Sequence, residues 1–181
     1  EIDHVIAAGS DGVVLALASE LVRLSHDERL ELSHRIPEMA AGRCTVTISV
    51  GAETSRGAAE YARIAERGGA HAVMAIPPVA THVPEKGIFE YYKAIHDAVS
   101  IPVVVQDASG YLGHSLSVDL QARLRSELGP RMYFKPEAQP IGPTLTRLQA
   151  ALNGEAVVFE GSGGLQLVDS HRRGISGTMP G

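Results

Sequence analysis

Residues 68–78 read Gly68-Gly-Ala-His-Ala-Val-Met-Ala-Ile-Pro-Pro78. A glycine pair leads into a continuous apolar run, and a proline pair closes it. The run does not alternate polar with apolar residues. A strand buried on both faces has this pattern, which means a parallel strand covered by helices. Immediately upstream, Thr54–Arg67 carries Ala58, Ala59, Ala62, Ile64 and Ala65 at helical spacing and stops at the glycine pair. One helix followed by one buried strand is the repeating unit of an α/β fold.

The same unit recurs on both sides. Further apolar runs are Gly12–Ala18, Cys44–Val50, Ile101–Gln106, Arg131–Lys135, Ala156–Glu160 and Gly174–Met179, and the one already quoted spans His71–Pro77. Helical segments fall between them at Ile88–Val99, Ser117–Leu128 and Pro143–Leu152, and Ser25-His-Asp-Glu28 reads as a capping box. The seven strand starts are spaced by about 27 residues, the length of one βα unit. Seven units exceed a doubly wound sheet and approach the eight of a (β/α)8 TIM barrel. The expectation is a single α/β domain over residues 1–181, holding strands two to eight of such a barrel, with its first strand and last helix absent. Ile2, Val5 and Ile6 form a helix that Gly9 ends and no N-cap precedes, and the chain stops directly after the seventh run. A barrel open in this way presents two apolar strand edges, which favours association.

Composition narrows the partners. The 181 residues are 44% hydrophobic and 20% charged, with sixteen basic against twenty-one acidic residues for a net charge of −5. No Lys/Arg-rich run marks a nucleic-acid or membrane-surface partner. No apolar run reaches membrane-spanning length, and no secretory signal layout opens the chain. The single Cys44 excludes an internal disulfide framework and a cysteine-based zinc site, so the expected compartment is the cytoplasm. Aromatics are 4% with no Trp, which leaves little for base or glycan stacking. A small-molecule protein with an aliphatic core is expected.

In parallel α/β folds the chemistry sits at the carboxyl ends of the strands. Those ends carry Ser19 and Glu20; Ser49, with Glu53 and Thr54 beyond; Thr81 and His82; Gln106-Asp107; Lys135-Pro-Glu137; Glu160 with Gly161-Ser-Gly-Gly164; and Thr178. Lys135 is the most informative. The chain has three lysines, and only this one lies in a strand, in Met132-Tyr-Phe-Lys135. Apolar walls disfavour an ammonium and favour the free amine, a nucleophile that condenses with a ketone to a Schiff base. Glu137, two residues on, pulls the other way, and a structural lysine paired to Glu137 is the alternative. Asp107, Glu137 and Glu160 close three consecutive strands; they can hold a divalent cation for metal-dependent lyase chemistry, or simply cap the following helices. The 161–164 glycine loop offers backbone N–H groups to a phosphate or carboxylate, or is a tight turn. His82 and His114 read as solvated loop histidines, and Cys44 as a small core residue.

Several of these pieces share an order and spacing. They are Glu20 with Leu24-Ser25 and Glu28-Arg29; the 68–78 stretch; Gly87 before Tyr91-Tyr92; Ile101-Pro-Val-Val-Val105; Phe134-Lys135; Gly161; and Gly174-x-x-Gly177. Together they resemble the dihydrodipicolinate synthase / N-acetylneuraminate lyase family of class I aldolase-type barrels. The resemblance implies that Lys135 forms the Schiff base with pyruvate or another 2-oxo acid, that no cofactor or metal takes part, and that the protein is a homo-oligomer, a dimer or tetramer. It also implies a set of site positions, several of which depart from the family pattern. The hydroxyls that bind the substrate carboxylate fall at Leu17 and Ala18 within Ala16-Leu-Ala-Ser-Glu20, leaving Ser19 or backbone N–H groups for that task. Gln106-Asp107 replaces the tyrosine–asparagine pair whose phenol relays protons, and an amide cannot act as acid or base near pH 7. A second family tyrosine falls at Val79 or Ala80, and the arginine that synthases use for their second substrate falls near Tyr111. The implied activity is therefore a divergent aldolase or dehydratase for a 2-oxo-3-deoxy sugar acid. Asp107, Glu137 or a substrate hydroxyl would carry the proton, and Gly161 and Ser162 would bind substrate. A binding barrel that keeps the lysine without the relay is the non-enzymatic alternative.

Overall fold

A computed structural model describes residues 1–17, 21–113 and 115–180, with the backbone alone at 111 and 112. Strands and helices alternate: α1 (Ile2–Ala7), β1 (Gly12–Leu15), α2 (His26–Ala40), β2 (Thr45–Ser49), α3 (Ser55–Arg67), β3 (Ala72–Ala75), α4 (Glu85–Ala98), β4 (Val103–Asp107), α5 (Ser109–Leu112), α6 (Val118–Leu128), β5 (Met132–Pro136), α7 (Ile141–Ala151), β6 (Phe159–Glu160), α8 (Leu167–Arg172) and β7 (Gly177–Thr178). All seven expected strands are present; five lie inside their apolar runs, and β4 and β5 each extend one residue beyond, to Asp107 and Pro136.

β1 to β5 form one parallel sheet in chain order, and β6 pairs with β7, also in parallel. A parallel bridge from Phe134 to Val158 joins the two ladders, with Phe134 N–H donating to Val157 O at 3.0 Å. The strand order is that of a TIM barrel, with the helices on the outer face.

Register sorts the side chains by face, because neighbours in register point the same way and residues alternate along each strand. Val46, Ile48, Val73, Ala75, Val103, Val105, Met132 and Phe134 point outward and merge with Ala58, Ala62, Tyr92, Ile95, Leu124 and Leu145 of the helices into one core. Thr47, Ser49, Met74, Val104, Gln106, Tyr133 and Lys135 occupy the alternate positions and face the barrel interior.

Local signals explain the helix starts. Ser25 caps α2 in a complete capping box with Glu28. Thr54 and Ser117 cap α3 and α6 through side-chain oxygens that accept Gly57 and Leu120 N–H groups. Alanines on the buried side of α3 let it lie close to the sheet. Gly68 ends that helix against α2, where a Cβ would sit 2.4 Å from the Ser33 carbonyl oxygen. Two short helices, α5 and α8, lie outside the helical segments expected from the sequence. α8 leaves Leu167 and Val168 exposed, so its residues give no amphipathic pattern to read.

Candidate active site

The site follows from β5. Lys135 occupies an interior position near the carboxyl end of that strand and is 5% exposed. Its Nζ lies 2.8 Å from Glu137 Oε1. The same Oε1 accepts a hydrogen bond from Gln106 Nε2 at 2.9 Å. Gln106 is in register with Lys135 on the neighbouring strand, so the sheet itself brings amide, amine and carboxylate together. Glu137 joins them because it is two residues beyond Lys135 on the same side of the chain. Its side chain is 21% exposed, which places it between the buried amine and the barrel mouth.

Two buried polar atoms on this interior face, Gln106 Oε1 and Ser49 Oγ, have no hydrogen-bond partner among the described residues. Leaving such atoms unsatisfied costs about 1–3 kcal/mol each, which a polar ligand recovers. Tyr133, two residues before Lys135, completes the face, with its ring centroid 6.4 Å from that of Phe159. Sequence reasoning passed over Ser49's orphaned hydroxyl and Tyr133. The signal that finds them is parity with Lys135 across aligned strands.

The three strand-end carboxylates do not converge. Glu137 faces the interior, whereas Asp107 and Glu160 occupy the opposite parity. Asp107 is fully buried on the helix side, where its Oδ1 accepts Leu116 N–H at 3.0 Å. Glu160 is fully buried too, and its carboxylate accepts from Ser162 and Thr178. Among the described residues no three His, Cys, Asp or Glu side chains form a metal-holding group. The metal triad of Asp107, Glu137 and Glu160 is thereby corrected, and the reason is strand alternation. Asp107 serves the connection to α6 and does not face Lys135. Ser162, expected to bind substrate, turns both its N–H and its hydroxyl to Glu160.

Other expected positions fall as follows. Leu17 is buried against Ile76 and Ala108 as an apolar plug. Ala18, Ser19, Glu20 and His114 lie outside the described residues. Tyr111 belongs to α5, and its side chain lies outside them as well. His82 lines a small cleft with Pro77, Pro78, Thr81 and Ile88.

The loops at this rim are tied to one another. The Glu53 carboxylate accepts Val79 N–H at 3.1 Å and Ala80 N–H at 3.0 Å, joining the loop after β2 to the loop after β3. The Arg29 guanidinium donates to Gly51 O at 2.9 Å and stacks 3.7 Å from the Tyr61 ring centroid. Tyr91 accepts Ala52 N–H at 3.1 Å, and Tyr92 donates to Ala75 O at 2.8 Å. Burial pushes both phenols above the usual tyrosine range, so they stay protonated and act as struts rather than as proton carriers.

Comparison with known proteins bears on the family and the fold. Residues 1–136 match the family model described as the dihydrodipicolinate synthetase family. L-2-keto-3-deoxyarabonate dehydratase of Azospirillum brasilense is 36% identical over 186 residues, covering 99% of this chain and 60% of that protein. A 4-hydroxy-tetrahydrodipicolinate synthase of Streptococcus pneumoniae is 32% identical over 125 residues, covering 68% of this chain and 40% of its own. Among solved structures, the chloride-inhibited dihydrodipicolinate synthase of Acinetobacter baumannii, complexed with pyruvate, superposes with a TM-score of 0.91 at 26% identity, over 99% of this chain and 61% of that one. The chain thus spans at most about 60% of the length of these relatives. Parallel strands in barrel order with a buried lysine near the carboxyl end of β5, matched by the family model across residues 1–136, identify the chain as a member of the dihydrodipicolinate synthetase family.

Proposed function

We propose that the protein is a Schiff-base-forming lyase that dehydrates a 2-oxo-3-deoxy sugar acid through Lys135. The observation that carries this reading is the contact of the buried Lys135 amine with Glu137 Oε1 at 2.8 Å, near the carboxyl end of β5. The dehydratase relative, similar along 99% of this chain, supports that class of substrate.

The residues divide the work as follows. The Glu137 carboxylate takes the surplus proton from Lys135, which frees the amine to attack the C2 ketone. The C2 oxygen takes one proton from the attached nitrogen and a second from Glu137, leaves as water, and an iminium forms. The iminium draws electrons from the C3–H bond, and the carboxylate of Glu137 accepts the C3 proton. As the resulting enamine pushes electrons outward, the C4–O bond breaks and the hydroxyl leaves with the proton from Glu137 as water. Hydrolysis then frees the lysine. Carboxylates of this kind contribute typically 10²–10⁴-fold. Gln106 orients Glu137 through Nε2, and its buried Oε1 is an acceptor for a substrate hydroxyl. Ser49 offers its buried hydroxyl to a polar group of the substrate. A cytosolic setting and self-association belong to the same proposal. The first rests on a single buried cysteine, the second on the family resemblance.

Borohydride reduction in the presence of pyruvate and a panel of 2-oxo-3-deoxy sugar acids tests the reading. A reduced adduct on peptide 132–147, which carries Lys135, is expected, together with a product one water lighter than the sugar acid. Appearance of pyruvate and an aldehyde instead would make the reaction aldol cleavage. Absence of any adduct with a folded sample would remove Schiff-base chemistry.

A further inference from the structure

Glu160 is a buried carboxylate that the proposed reaction leaves unused. One of its oxygens accepts Ser162 N–H at 2.9 Å and the Ser162 hydroxyl as well. The Thr178 hydroxyl lies 3.1 Å from the other carboxylate oxygen and 3.1 Å from the Glu160 carbonyl. These bonds fix the turn that leaves β6 and fasten it to β7. Gly161 is the residue held inside that turn. A Cβ built on Gly161 would lie 2.7 Å from Lys135 Cε, 2.7 Å from Glu137 Cγ and 2.7 Å from Glu137 Oε1. Its backbone is not among those with positive φ, so conformation does not demand glycine there. Space does: the chain after β6 is the wall against which the amine and the carboxylate are pressed together.

We propose that Gly161 and Glu160 are positioning residues for the Lys135–Glu137 pair. Gly161 supplies the close wall, and Glu160, through Ser162 and Thr178, holds that wall in place. Neither supplies a group that exchanges protons or electrons with the substrate. The atoms that an added methyl would strike are mostly the mobile ends of two long side chains. Gly161→Ala is therefore compatible with folding and displaces the pair instead. The inference rests on Lys135 being the reactive amine, but its test needs no 2-oxo acid.

The test is competitive acetylation with acetic anhydride at one fixed pH, read by mass spectrometry as the labelling of peptide 132–147, with Lys93 as internal reference. Lys93 sits on the exposed side of α4, where it pairs with Asp97. Glu137→Gln, which removes the carboxylate held 2.8 Å from the amine, should raise the labelling of Lys135 relative to Lys93. Gly161→Ala and the pair Ser162→Ala with Thr178→Val should raise it as well and leave the labelling of Lys93 unchanged. A Gly161→Ala protein with native circular dichroism and unchanged Lys135 labelling overturns the proposal. So does unchanged labelling in Glu137→Gln, because then no pair exists to be positioned. Should Gly161→Ala fail to fold, the Ser162/Thr178 variant decides by the same criterion. Failure of borohydride trapping in the unaltered protein would remove the lyase reading while leaving this labelling readable.

Discussion

The two ladders of the barrel differ in construction. β1 to β5 run four or five residues each and share an unbroken parallel register backed by a core of fully buried side chains. β6 and β7 are two residues each and join the rest through the Phe134–Val158 bridge. The helix behind them, α8, has six residues and exposes Leu167 and Val168. In place of a long ladder, this part relies on polar ties: Glu160 to Ser162 and Thr178, Gln149 to Gly174 O at 2.7 Å, and Arg173 to Asp169 and Thr146. Lys135 stands at the seam. Its strand closes the strong ladder, and the wall it leans on belongs to the weak one. The Lys135–Glu137 pair therefore sits between a long ladder and a short one.

Several measurements would break or sharpen this contrast. The largest effect is expected at the seam itself: Lys135→Ala should abolish the borohydride adduct, and an adduct that persists on another residue would move the chemistry elsewhere. Glu137→Gln should lower turnover by about 10²–10⁴-fold while the protein still folds. Steady-state assays on a sugar acid that the trap identifies would check this.

Stability should follow the same division. Phe134 is fully buried in the strong ladder, and Phe134→Ala should cost about 3–5 kcal/mol in denaturant unfolding. Phe159 is only partly buried, and Phe159→Ala should cost clearly less. Equal costs would erase the distinction between the ladders. Alkaline pH should weaken the strong half. Tyr91 and Tyr92 remain protonated in the fold at pH values where the unfolded chain ionises. Their contribution is fully present below about pH 10 and falls as pH rises beyond it. Thermal melts from pH 8 to 11 should show this decline, and Tyr92→Phe should flatten it. The smallest effect belongs to the α2 cap, where Ser25→Ala should cost about 1 kcal/mol and leave the labelling of Lys135 unchanged.

Much of this was legible in the residues. The 68–78 stretch, the alanine face of α3 and the Ser25–Glu28 box each state a local preference, and tertiary structure honoured all three. Lys135 stood out because a lysine inside an apolar strand has few explanations. The carboxylates misled, because adjacency to a strand end says nothing about which face a side chain takes. One step along the strand separates Gln106, which meets Glu137, from Asp107, which meets Leu116. The short α8 was equally opaque, since a six-residue helix with exposed apolar residues has no periodic signature.

By itself, then, the chain's alternation of apolar runs and capped helices determined a parallel α/β fold in barrel order and singled out its one strand lysine. Those are properties of local hydrophobic pattern and backbone chemistry, which read directly along the sequence. Only the folded structure decided which groups meet that lysine. Strand register brings Gln106 beside it, parity turns Glu137 toward it and Asp107 and Glu160 away, and the turn at Gly161 closes on it. Such contacts depend on the pairing of strands far apart in the chain, and a one-residue difference in position reverses the face that a side chain presents.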